Sequence, residues 1–167
     1  ALPYTHPPHH HQVTQSKSPV VVVGGGPVGL TLAIDLAKRG VELILLDDDN
    51  RLSSGSRAIC FAKRTLEIWD RLGCGHRMVE KGVSWNVGKG FFRSDQVYAF
   101  DLLPDAGHRR PAFINLQQYY CEGFLYEHGA TLGNLDIRWR NKVIGIEPSD
   151  SGVRLLVDTP DGSYSLD

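Results

Sequence analysis

Six consecutive residues, Gly24-Gly25-Gly26-Pro27-Val28-Gly29, fit the spacing G-x-G-x-x-G, which brings backbone N–H groups against a diphosphate. In that pattern Gly24 allows a sharp turn, Gly26 lets the main chain approach the anion, and Gly29 lets a helix pack closely on the strand before it. Pro27 and Val28 then lie in the first helical turn, where partial positive charge and unpaired N–H groups face the phosphates. Proline suits the first helical position because its missing N–H would have no partner there. Asp47 stands 18 residues past Gly29, where it can accept hydrogen bonds from both ribose hydroxyls and would repel a 2′-phosphate. Asp48 and Asp49 read as solvated turn residues, with Asp48 the ribose acid if the register slips by one. A lone glycine turn is a weak signal, but paired with this acid it points to a dinucleotide site.

Such a site needs a strand running into the turn and a helix running out. The run from Pro19 to Val23 is β-branched and unbroken, as expected of a parallel strand buried on both faces. From Val28 to Arg39 the residues Val28, Leu32, Ala33 and Leu36 recur at helical spacing, and Gly40 follows as a cap. Val41 to Leu46 is a second strand ending at Asp47, which completes a βαβ unit. Beyond a polar turn at 50–56, the pattern predicts helices at 58–72, 76–81 and 117–128. It also predicts a hairpin of 83–92 with 96–102 and short strands at 136–140, 142–147 and 153–158. The turns among these last strands are too short for parallel crossovers, so an antiparallel meander is expected near 135–158. The predicted fold is a three-layer, Rossmann-like α/β domain, with helices on one face of a mostly parallel sheet and the meander on the other.

Composition narrows the function. The chain has 167 residues, with 18 Lys+Arg against 19 Asp+Glu and a formal net charge of −1. That balance argues against nucleic-acid or anionic-membrane partners, which require a basic field. No apolar run is long enough to span a bilayer and the N-terminus lacks a signal-peptide pattern, so the expected compartment is the cytoplasm. Cys60, Cys74 and Cys121 are odd in number and never spaced C-x-x-C, which reads as isolated reduced thiols. Residues 1–18 contain four histidines (His6, His9, His10 and His11) and almost no large apolar side chains, so a flexible arm is expected before a domain over 19–167. His76, His108 and His128 have no obvious carboxylate partner and read as surface or capping residues. Neither a catalytic triad nor a metal-ligand set is evident.

A classical NAD domain would pass directly to a third parallel strand. Here the βαβ unit is followed by Arg57, a long helix and a hairpin, which favours FAD. An arginine ten residues past Asp47 can return to neutralise a pyrophosphate. With these residues in view, the chain resembles the N-terminal part of the FAD-dependent aromatic-ring monooxygenases, the para-hydroxybenzoate hydroxylase family. Within it the likeness is nearest to 3-(3-hydroxyphenyl)propionate hydroxylase-like proteins. The matching stretches are VVVVGGGPVGLTLAIDLAKRG, LILLDDD, GSRAICFAKRTLEIWDRLG and FINLQQYYCEGFL.

The resemblance implies that Gly24, Gly26 and Gly29 form the phosphate turn and that Asp47 binds the adenosine ribose. It further implies that Arg57 contacts the FAD pyrophosphate and that Gln118 contacts the ribityl-pyrophosphate region. Gln118 is preferred because Cys121 and Leu125 follow at +3 and +7; Gln117 is the fallback, and a plain helix-cap role stays open for both. The implied reaction uses NADH or NADPH to reduce FAD, which then activates O₂ to hydroxylate a phenol, with no catalytic protein nucleophile or metal. The family's later motifs at the flavin ring and its substrate-binding sheet would fall beyond Asp167. The expectation is therefore a truncated FAD-binding portion, inactive alone and prone to homo-oligomerise through open strand edges. Two other readings stay open: a non-catalytic dinucleotide-binding module, and another FAD-dependent oxidoreductase sharing the first βαβ unit.

Overall fold

The computed structural model describes residues 2–4, 18–54 and 57–167. The predicted arm falls mostly on residues outside that set; of its described part, Leu2 donates its N–H to the Asn50 carbonyl (2.6 Å) and Tyr4 its hydroxyl to Asp161 (2.6 Å). The chain divides into two units, residues 1–54 with 125–167, and residues 55–124.

The first unit is built on three parallel strands. β1 (Val20–Val23) and β2 (Leu43–Asp47) are joined by α1 (Pro27–Lys38), and β8 (Leu135–Trp139) lies on the far side of β2. The third parallel strand that the sequence pattern lacked after β2 is thus supplied much later, by a segment expected in the meander. β8 pairs with β2 from Leu43↔Leu135 to Asp47↔Trp139 and belongs to the parallel sheet, a correction to that expectation. The meander begins after it, as β9 (Lys142–Ser149), β10 (Gly152–Thr159) and β11 (Gly162–Leu166), antiparallel in the order β11-β10-β9.

Burial explains how these layers hold. β2 is central, and all of Leu43 to Leu46 is buried. β1 lies at the edge of this sheet, so the expected two-sided burial is not met: Val22 is buried but Val23 is 57% exposed. Side chains alternate along a strand, and Ile44 and Leu46 on one face of β2 pack with Leu155, Val157 and Leu166 of the meander. On α1 the buried set is Leu30, Ala33, Ile34 and Ala37, a clean i, i+3, i+4, i+7 stripe. The helical spacing in the sequence points also to Val28 and Leu32, but both are exposed. Leu45 is fully buried at the centre of the sheet. We expect Leu45→Ala to cost about 2–5 kcal/mol through lost burial and a cavity, read as a lower urea midpoint at unchanged slope.

The second unit is centred on a short antiparallel sheet. β7 (Phe113–Asn115) runs between β3 (Cys60–Ala62) and β4 (Val83–Trp85). The predicted helix over 58–72 therefore splits into β3 and α2 (Lys63–Leu72), because residues 60–62 extend to pair with β7. Gly73 ends α2 in the left-handed region (φ 94°), and α3 (Gly75–Lys81) follows. Phe61, Leu66, Trp69, Leu72, Met78 and Ile114 form the interior here. The predicted hairpin is shorter than expected: β5 (Val87–Phe92) pairs with β6 (Asp95–Asp101), while β4 joins β7 instead. On the hairpin the Phe100 ring covers Gly88 and the Tyr98 ring covers Gly90, with the two rings stacked at 6.0 Å. α4 (Gln118–Gly129) then carries the chain back to β8. No helix among the described residues is long and apolar enough to cross a membrane.

Candidate nucleotide-binding site

The glycine turn occupies the C-terminal end of β1, where ligands bind in open α/β sheets. Gly24 has φ 107°, a conformation rarely adopted by residues with a side chain, and its N–H donates to the Leu46 carbonyl at 2.8 Å. Gly26 is the N-cap of α1 with ordinary extended dihedrals, and no atom lies within 4 Å of the position a Cβ would take. At Gly29 the opposite holds: a Cβ would run into the Gly24 carbonyl oxygen. The helix start has no side-chain cap and no acidic residue in its first turn, with Pro27 at its N-terminus. Its partial positive charge is therefore left for an outside anion. Val28 is exposed beside it.

Asp47 ends β2 and is held from three directions. Its Oδ2 accepts the Gly25 N–H at 2.5 Å, its Oδ1 accepts the Asp49 N–H at 2.9 Å, and its carbonyl accepts the Asn141 N–H at 2.8 Å. Each carboxylate oxygen retains lone-pair capacity for a further donor. Asp48 and Asp49 are exposed. The turn and the acid, 22 residues apart in sequence, are thus tied directly together.

Arg57 and Gln118 belong to the second unit and meet there. Gln118 Oε1 accepts the N–H of Ala58 at 3.2 Å, and its Nε2 donates to Glu122 Oε1 at 2.7 Å. Gln118 therefore holds the peptide next to Arg57, whose side chain is exposed. Cys121, three residues on, is fully buried, and burial pushes its thiol well above the ordinary range. Gln117, the fallback, is exposed just before α4 and gives its carbonyl to the Tyr120 N–H at 3.0 Å. The histidines are paired more than the sequence indicated: His76 lies 3.1 Å from Glu80, and His108 accepts from Lys63 at 2.7 Å.

Sequence reasoning missed Trp139 and Asn141. Both follow from β8 being parallel to β2, which sets Trp139 beside Asp47 and Asn141 under it. The alternation of Leu135, Ile137 and Trp139 marks a strand with one buried face but does not name its partner, so the sequence carried no signal for this pairing.

Residues 17–164 match the protein family described as FAD binding domain. The chain belongs to that family. Similarity to longer proteins covers most of this chain. It is 28% identical over 152 residues to para-nitrophenol 4-monooxygenase of Pseudomonas sp. (strain WBC-3), covering 88% of this chain and 37% of that protein. It is 34% identical over 143 residues to rifampicin monooxygenase of Streptomyces venezuelae, covering 86% of this chain and 29% of that protein. Among solved structures, p-nitrophenol 4-monooxygenase PnpA of Pseudomonas putida DLL-E4 superposes with a TM-score of 0.83 at 30% identity, over 92% of this chain and 39% of that one. This FAD-binding chain thus spans under two fifths of the length of the relatives it matches. The turn fits the cofactor that the family names: an open side at Gly26, an uncapped helix N-terminus and an oriented carboxylate suit a pyrophosphate joined to a ribose.

Proposed function

We propose that this chain is the FAD-binding portion of a cytoplasmic flavoprotein monooxygenase that hydroxylates a phenolic compound with NAD(P)H and O₂. One observation carries the reading. The match to the para-nitrophenol 4-monooxygenases extends over 88–92% of the chain, through both units, rather than over the βαβ element that many flavoproteins share. Residues 19–167 would be the N-terminal part of that enzyme's FAD-binding domain, and residues 1–18 its arm.

The family resemblance supports a role for each residue, and the shape of the glycine turn is compatible with the first of them. N–H groups at Gly26, Val28 and Gly29 would meet the pyrophosphate, with Gly24 and Pro27 shaping the turn. Asp47 would accept the hydroxyls of the adenosine ribose, Asp48 lying one residue outside it. Arg57 would add the full positive charge that backbone groups lack, and Gln118 would hold the 57–58 peptide in place. The flavin, when bound, supplies the redox chemistry, while this portion supplies binding and orientation. A nicotinamide cofactor would act as transient donor, and its identity does not follow from Asp47, which serves FAD.

An absorption spectrum of the purified chain after incubation with FAD tests the reading, together with identification of the nucleotide released on denaturation. Bound flavin is expected in the wild-type chain. Asp47→Ala and Arg57→Ala should each weaken it by about tenfold or more, the scale of losing a charge-assisted contact. A colourless protein that releases NAD would overturn the flavoenzyme assignment.

A further inference from the structure

Trp139 closes β8 in register with Asp47. Its side chain is almost wholly buried, and a methyl placed on Gly25 would lie 2.6 Å from its Cζ3 and 2.9 Å from its Cη2. The same methyl would lie 3.1 Å from Asp47 Oδ2, the atom that accepts the Gly25 N–H. The second position of the glycine turn is thus confined between an aromatic edge and the carboxylate. The G-x-G-x-x-G spacing leaves that position open to any residue, so the need for glycine here arises from Trp139.

The ring itself is held from behind. Tyr126 meets it edge-on with centroids 5.5 Å apart, and the Asn141 side chain donates to the Trp139 carbonyl at 2.9 Å. The indole N–H is buried without a hydrogen-bond partner among the described residues. That is a cost a phenylalanine would avoid. What the indole adds is reach, because the atoms facing Gly25 are those of its outer, six-membered ring.

We propose that Trp139 is a positioning residue for the cofactor. Its outer ring backs the Gly25 peptide, keeps that N–H on Asp47, and so holds the carboxylate at the angle that receives the ribose hydroxyls of FAD. This inference rests on the FAD-binding reading above.

A double-mutant cycle tests it, with FAD affinity measured by flavin-fluorescence titration and folding by circular-dichroism melts. Gly25→Ala should weaken FAD by about tenfold or more, as one methyl forced into a filled site does. Trp139→Leu should weaken it by a smaller factor. The double variant should bind FAD more tightly than Gly25→Ala alone, because the shorter side chain makes room for the methyl. A double variant no better than the product of the two single losses would overturn the proposal. Should Gly25→Ala not fold, recovery of folding in the double variant is the same rescue. Trp139→Phe gives a second reading: weaker FAD binding at a nearly unchanged melting temperature supports positioning, and unchanged FAD affinity overturns it. A wild-type chain that takes up no FAD would overturn the cofactor reading and this proposal together. FAD bound by the wild type with an additive cycle would overturn the proposal alone.

Discussion

Alanine at position 26 is expected to leave the protein folded and strip it of FAD, whereas alanine at position 29 is expected to damage the fold itself. Gly26 has φ −75° and ψ −176°, dihedrals open to any residue, and a Cβ there would meet nothing within 4 Å. Replacing such a glycine restricts the unfolded chain but gives up a better N-cap for α1, and the two effects oppose each other, so stability should change little. The open space is nevertheless where a pyrophosphate must approach the backbone, so the methyl should cost about 2–3 kcal/mol of binding, near a hundredfold in affinity. At Gly29 the methyl meets the carbonyl of Gly24, which cannot yield readily, since the Gly24 N–H is bonded to Leu46. The helix must move off the strand, at a cost of about 1–3 kcal/mol or more. For a chain of this size each kcal/mol lowers the melting temperature by about 2–4 °C. Melting curves and FAD titrations on the two variants separate the cases. Gly26→Ala retaining wild-type FAD affinity would refute the close approach of phosphate, and Gly29→Ala melting with the wild type would refute the tight helix–strand packing.

What could be read in advance followed the range of the interactions. Strand, turn, helix, strand and acid between Val20 and Asp47 are local, and each carries its own signal: β-branched residues, glycines, a proline at the helix start and a lysine at its end. The buried face of α1 was harder, because PVGLTLAIDLAK is apolar on several sides and small residues do much of the packing. The parallel pairing of β8 was not legible. Its partner lies about ninety residues earlier, and its short link to β9 resembles a meander turn although the two strands do not pair with each other. Strands of three residues, such as β3, β4 and β7, are too brief to show a period. At the site, glycines and acid could be assigned by spacing. The contact of Gln118 with Ala58 could not, because two segments 60 residues apart must first be folded together.

Removing one carboxylate from the second unit should destabilise it more than any surface change, and should do so in a pH-dependent way. Asp70, near the end of α2, accepts from Arg110 Nε at 2.6 Å and also from Arg110 Nη2. The two side chains are only 12% and 9% exposed, so neither charge is well solvated once its partner is lost. Breaking a buried pair by removing one member costs about 3–5 kcal/mol. The consequence spreads, because Arg110 anchors the segment entering β7, where the Ala112 carbonyl accepts the Lys63 N–H at 2.8 Å and its N–H donates to Asn86 at 3.0 Å. Asp70→Asn is expected to lower the urea midpoint at pH 7 by that amount, while Arg109→Ala, whose side chain is 82% exposed at 3.4 Å from the same carboxylate, should change little. The Arg110 hydrogen bonds, opposed by burial and helped by the charges of Arg110 and Arg109, hold the Asp70 carboxyl below the usual range. A carboxyl depressed in the folded state stabilises the protein above its unfolded value of about 3.9, and that stability is lost as pH falls through the folded value. The gap between wild type and Asp70→Asn should therefore be full at pH 7, begin to close below about pH 4, and shrink further in stronger acid. A gap that stays constant from pH 7 to pH 2 would mean that the asparagine acts through shape alone. A gap under about 1 kcal/mol at neutral pH would place the pair with ordinary surface bridges despite its burial.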